Sequence, residues 1–127
     1  MNSRDDLNND RNGGIKFYHG SWKEAVGKAK NENKVIFLEI YASWCGPCKK
    51  LKTNTFSNNR VGNYFNARFI NVSLDGENGE GEMLANQFGL SGYPALYFID
   101  TEGKIIAQSE GYMNVDELLD FARTGLK

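Results

Sequence analysis

The run Val35-Ile-Phe-Leu-Glu-Ile-Tyr41 is apolar but for one residue and rich in β-branched and aromatic side chains, which predicts a central strand covered on both faces. Upstream, Ser21-Trp-Lys-Glu24 forms a capping box, and Trp22, Ala25, Val26 and Ala29 recur at helical spacing, so an amphipathic helix runs to about Lys30 and ends in Asn31–Lys34. Ile15–Tyr18 alternates briefly and predicts a short edge strand. Downstream of Pro47 a helical pattern continues toward Asn54, and Thr55–Val61 begins a second helical piece through Phe65, capped by Ser57 or Asn58. Phe69–Leu74 alternates apolar and polar residues as a strand, and Asp75–Glu82 is a loop rich in Gly and acid. Met83, Leu84 and Phe88 give a short helix ended by Gly89. Strand Ala95–Ile99, turn Asp100–Gly103 and strand Lys104–Ala107 form a hairpin, and Asn114–Glu117 caps a last helix presenting Val115, Leu118, Leu119 and Ala122. This order predicts an α/β fold, a central mixed sheet of four to five strands with helices on both faces.

Composition narrows the classes. The chain has 127 residues, 40% hydrophobic content and a net charge of −1, enough for one domain with an ordinary core. Near-neutral charge without a basic cluster argues against a nucleic-acid partner, and no apolar run is long enough for a membrane span. Residues 1–14 are polar, end in Gly-Gly and lack an apolar signal core, so they read as a disordered tail before a domain at 15–127. If an upstream signal has been removed, an envelope or periplasmic setting is open; otherwise the cytoplasm is.

The chemistry sits at the end of the central strand. Cys45-Gly-Pro-Cys48 places Cys45 at or just before a helix N-terminus, because Pro47 suits the first turn, where its missing N–H is not needed. Unpaired N–H groups and the helix dipole there favour a thiolate, so Cys45 is the expected nucleophile and Cys48 the resolving thiol. Half of a zinc knuckle is the competing reading, but the chain has no other cysteine and one histidine, too few for a ligand set. The acidic loop lacks the spacing of a calcium site. Trp44 and Tyr93 lie in loops flanking the nucleophile, where substrate contact competes with ordinary packing. Glu39 is either a solvent-facing bystander or a functional acid, because a carboxylate inside a covered strand is costly. His19 lies far upstream at the end of the proposed edge strand and reads as an exposed bystander rather than a base.

Trp44-Cys-Gly-Pro-Cys-Lys49 resembles the active-site motif of the thioredoxin superfamily residue for residue. Thr55-Phe-Ser57 with Val61, Phe98-Ile-Asp100 with Gly103, and Gly111-Tyr-Met113 resemble more closely the C-terminal thioredoxin domain of membrane thiol:disulfide interchange proteins, over roughly Ser21 to Ala122. The resemblance implies a thioredoxin-like fold and a redox-active Cys45–Cys48 disulfide with no other cofactor. It implies that Glu39, six residues before Cys45, accepts the Cys48 proton in place of the usual Asp. It implies a cis-proline at Pro94 beside the Cys pair, with Trp44, Gly46, Pro47, Tyr93 and Pro94 forming the substrate-binding set. Three features depart from the pattern: Lys52 stands where those interchange domains carry an acid, Gly-Pro is unusual for them, and the thioredoxin lysine of the neighbouring strand is absent, with Asn71 near its place.

The resulting expectation is a monomeric dithiol-disulfide oxidoreductase that reduces protein disulfides and is re-reduced by a dithiol donor, a reductase or a membrane interchange protein. A disulfide isomerase or oxidase of the same fold, and a non-catalytic interaction module, are the alternatives.

Overall fold

The computed structural model describes residues 13–125. Helix α1 (Trp22–Glu32) leads into β1 (Val35–Tyr41), followed by α2 (Gly46–Lys50), which widens into a π-helical turn at Leu51–Phe56. Then come α3 (Asn59–Arg68), β2 (Phe69–Asp75), α4 (Gly79–Phe88), β3 (Ala95–Ile99), β4 (Ile105–Glu110) and α5 (Val115–Gly125). The strands form a four-stranded sheet in the order β2-β1-β3-β4, with β1 parallel to β2 and antiparallel to β3. This is the mixed sheet expected, with its most apolar strand inside.

Alternation along β1 divides the core. Ile36, Leu38 and Ile40 pack with Ala25 and Ala29 of α1 and Leu84 and Ala85 of α4. Phe37 points to the opposite face, where Phe65, Phe98, Leu51 and Leu118 enclose it. Its ring centroid lies 4.8 Å from that of Phe65 and 5.2 Å from that of Phe98. Glu39, two residues on, shares the Phe37 face and lies at the end nearest Cys48.

Local chemistry fixes the helix ends. Ser21 and Glu24 make both bonds of the capping box, and α1 runs past Lys30 to a left-handed stop at Asn33. Asn58, rather than Ser57, caps α3 by accepting the N–H groups of Arg60 and Val61. Asn114 and Glu117 bond reciprocally at the start of α5.

Several expectations are corrected. Ile15–Tyr18 is not a strand: Ile15 N–H donates to Phe56 O at 2.8 Å and only Tyr18 N–H reaches β2, at Asn71 O, 2.7 Å. One bond to the edge strand and one to the π turn do not make a ladder. Helix α4 begins at Gly79, inside the stretch read as loop, because Gly81 lets the backbone close onto the Asp75 carbonyl where any Cβ would collide. Strand β4 extends past Ala107 to Glu110. The polar positions of β2 do not all face solvent: Asn71 is only 3% exposed because α3 covers it, and its Nδ2 donates to Phe65 O at 3.2 Å.

Residues 1–12 of the proposed tail lie outside the described residues. Gly13 and Gly14 pack directly on α3 at Gly62, with Gly14 also against the Phe56 carbonyl. This contact brings the following segment, through His19, alongside the sheet edge.

Candidate active site

Strand β1 delivers the chain to Tyr41, a short turn follows, and Cys45 occupies the N-cap of α2 in an extended conformation. Pro47 falls in the first turn, where an N–H would have no helical acceptor. Cys45 and Cys48 are disulfide-bonded, and Cys45 Sγ accepts the Cys48 backbone N–H at 3.0 Å. Ala42, Tyr41 and Tyr93 pack around the pair. An N–H aimed at Cys45 Sγ favours negative charge on that sulfur once the disulfide is reduced.

On one side of the disulfide lies a groove of about 530 Å³ lined by Trp44, Cys45, Gly46, Pro47, Leu90, Ser91, Gly92 and Tyr93. Four of the five expected substrate-contact residues therefore line one groove with Cys45, which is itself 3% exposed. The fifth, Pro94, is buried behind the groove where the loop enters β3, and the Tyr93–Pro94 peptide bond is cis. Trp44 is 65% exposed yet held in place: its indole N–H donates to Glu77 Oε1 at 2.9 Å, and its ring meets Tyr93 edge-on at 5.7 Å.

On the other side, a cavity of about 350 Å³ joins Cys48 to Glu39, with Ser73, Lys49, Lys52, Tyr18, Tyr41 and His19 in its wall. Glu39 is 4% exposed, so it does not face solvent. Burial, opposed in part by the Ser73 hydrogen bond and the Lys52 charge, leaves its carboxyl raised to about 7. Ser73 Oγ donates to Glu39 Oε1 at 2.7 Å. A carboxyl that is half ionised near neutrality, in the same cavity as Cys48, is able to take or give a proton there. His19 is exposed at the cavity rim, carried there by the Gly13-anchored segment rather than lying remote from the site.

Ser73 and the position of Lys52 are what sequence reading missed. Asn71 stood near the place of the absent thioredoxin lysine, and the parallel register pairs Phe37 with Asn71 and Glu39 with Ser73. Aligning the first residues of the two strands, Val35 and Phe69, would have revealed Ser73. Among the described residues no three His, Cys, Asp or Glu side chains converge on one point, and no helix is long and apolar enough to cross a membrane.

A four-stranded mixed sheet carrying a Cys-Gly-Pro-Cys disulfide at a helix N-terminus, beside a cis-proline, defines the class of thioredoxin-fold thiol-disulfide oxidoreductases. Residues 22–125 match the thioredoxin-like domain family, and the chain belongs to it. The thiol:disulfide interchange protein DsbD of Haemophilus influenzae is 32% identical over 91 residues, 69% of this chain and 16% of the relative. DsbD of Yersinia pestis is 30% identical over 94 residues, 72% of this chain and again 16% of the relative. The chain thus spans about 16% of the length of these curated relatives. Among solved structures, a Bacteroides thetaiotaomicron protein provisionally assigned as a disulphide isomerase is 36% identical, with TM-score 0.81, covering 91% of this chain and 95% of that one. The oxidised DsbD C-terminal domain of Neisseria meningitidis shares the fold at 22% identity and TM-score 0.72, covering 87% of this chain and 98% of that one.

Proposed function

We propose that the protein reduces disulfides in protein substrates and is re-reduced by another dithiol. The observation that carries this reading is the position of the Cys pair between two different environments, an exposed aromatic groove at Cys45 and an enclosed carboxyl at Cys48.

In the forward direction the Cys45 thiolate attacks a substrate disulfide lying in the groove. A Cys45–substrate S–S bond forms, the substrate S–S bond breaks, and one substrate thiolate leaves. The Cys48 S–H proton passes to the Glu39 carboxylate, and the Cys48 thiolate attacks Cys45 Sγ. The second substrate thiolate leaves as the Cys45–Cys48 disulfide forms. Two electrons have moved from the protein dithiol to the substrate, and a dithiol donor reverses the exchange to restore the reduced protein. Trp44, Gly46, Pro47 and Tyr93 present the contact surface, and the loop at Tyr93–Pro94 positions it.

Relatives named thiol:disulfide interchange proteins support exchange between this dithiol and other thiols and disulfides. The Bacteroides relative favours isomerisation as a second reading. Insulin reduction driven by dithiothreitol tests the activity: rapid turbidity is expected with the native protein and no acceleration over dithiothreitol alone with Cys45→Ser. Equilibration with glutathione then sets the direction. A potential near about −270 mV supports a reductase, and one near about −120 mV supports the oxidising alternative.

A further inference from the structure

Lys52 is the lysine in the cavity wall whose charge lowers the Glu39 carboxyl against the effect of burial. It follows Cys48 by four residues along the same helical segment, one turn on, so both side chains reach the same cavity. None of the ion pairs among the described residues involves Lys52.

We propose that Lys52 is a positioning residue that holds a single negative charge in the cavity, first on Glu39 and then on Cys48, while the proton passes between them. This rests on the proposed role of Glu39 in resolving the mixed disulfide. During that step the cavity never changes its total charge: Glu39 carboxylate with Cys48 thiol becomes Glu39 acid with Cys48 thiolate. A cation in the wall of the cavity that both groups share stabilises either singly charged arrangement over the fully protonated one. It therefore keeps the cavity primed at neutral pH, where burial alone would leave Glu39 protonated.

The other groups around Glu39 do not replace it. Ser73 of β2 donates a hydrogen bond but carries no charge, and Tyr41 of β1 and Tyr18 present phenols. Lys49 of α2 and His19 of the N-terminal segment also face the cavity, and the shift of the Glu39 carboxyl comes from burial, Ser73 and Lys52. Asp75 acts on Tyr41 rather than on Glu39.

The test is a pair of titrations on the reduced protein of residues 1–127: carboxyl-carbon NMR of Glu39, and the pH profile of single-turnover resolution of a Cys45 mixed disulfide with a model peptide. Lys52 is exposed, so its substitution leaves the fold intact. Lys52→Met should move the Glu39 midpoint and the acid limb of the profile alkaline by about half to one pH unit, with Lys52→Arg restoring both. A Glu39 midpoint unmoved in Lys52→Met overturns the proposal. If the resolution rate is also unchanged in Glu39→Gln, the role of Glu39 itself falls, and that outcome is distinct from a lysine that does nothing.

Discussion

Glu39 and Ser73 are direct partners across the parallel β1–β2 pair, and Ser73 Oγ donates a 2.7 Å hydrogen bond to Glu39 Oε1. The bond stabilises the ionised carboxyl against a burial that favours the neutral acid. Ser73→Ala removes the donor, so the Glu39 midpoint should rise above about 7 in an NMR titration. A midpoint at or below the native one would reject this assignment of the bond.

Stability should depend on pH through the same carboxyl. Glu39 holds its proton to about pH 7 when folded, against 4.5 as the ordinary value. Below pH 4.5 both states are protonated and the group costs nothing. Between 4.5 and about 7 the unfolded chain releases its proton first, so stability falls as pH rises, by roughly 3 kcal/mol in all. Glu39→Gln removes this loss and should raise the melting temperature by about 5–10 °C at pH 8 but far less at pH 5. Equal gains at the two pH values would show that the carboxyl does not titrate in the folded protein.

The same variant separates stability from chemistry. Resolution of the mixed disulfide should slow by about ten- to a thousandfold in Glu39→Gln, with attack by Cys45 much less affected. Stopped-flow measurement of both steps checks this, and equal slowing of the two would place Glu39 outside proton transfer from Cys48.

The two cysteines should differ in reactivity once reduced. Cys45 borders the open groove and receives the Cys48 N–H, so it should be alkylated near neutral pH much faster than Cys48. Cys48→Ser should accordingly trap mixed disulfides with protein partners, and Cys45→Ser should not. Trapping by both variants alike would contradict the ordered mechanism.

Gly62 permits the contact that closes the cavity. A Cβ there would collide with the Gly13 carbonyl, so Gly62→Ala should cost about 1–3 kcal/mol and loosen the segment carrying Phe17, Tyr18 and His19. Hydrogen exchange at the Ile15 and Tyr18 amides, which donate to Phe56 O and Asn71 O, should accelerate. Unchanged protection would mean that the segment is held by other contacts.

The sequence by itself determined what depends on local chemistry. The apolar run of β1, the Ser21–Glu24 capping box, the Asn114 cap and the Cys-Gly-Pro-Cys turn each carry their cause within a few residues, and the structure reproduces all four. The family and the mixed α/β class followed from them together with the resemblance in the active-site motif, whereas the strand order came from the structure. What only the tertiary structure decided is which distant residues share a surface. Whether Glu39 was buried depended on α2, the π turn after it and the segment Phe17–His19 covering its face, and its partner depended on a strand register that alternation cannot specify, since a shift by two residues preserves the pattern. Asn71, polar and alternating correctly, is buried for the same reason: a strand covered on both faces has no solvent side. The cavity at Cys48 is likewise non-local, assembled from β1, β2, the helix after the cysteines and an extended segment anchored at a glycine contact on α3. Its electrostatics follow from that enclosure, because burial sets the Glu39 proton affinity and no residue near Glu39 in sequence announces it.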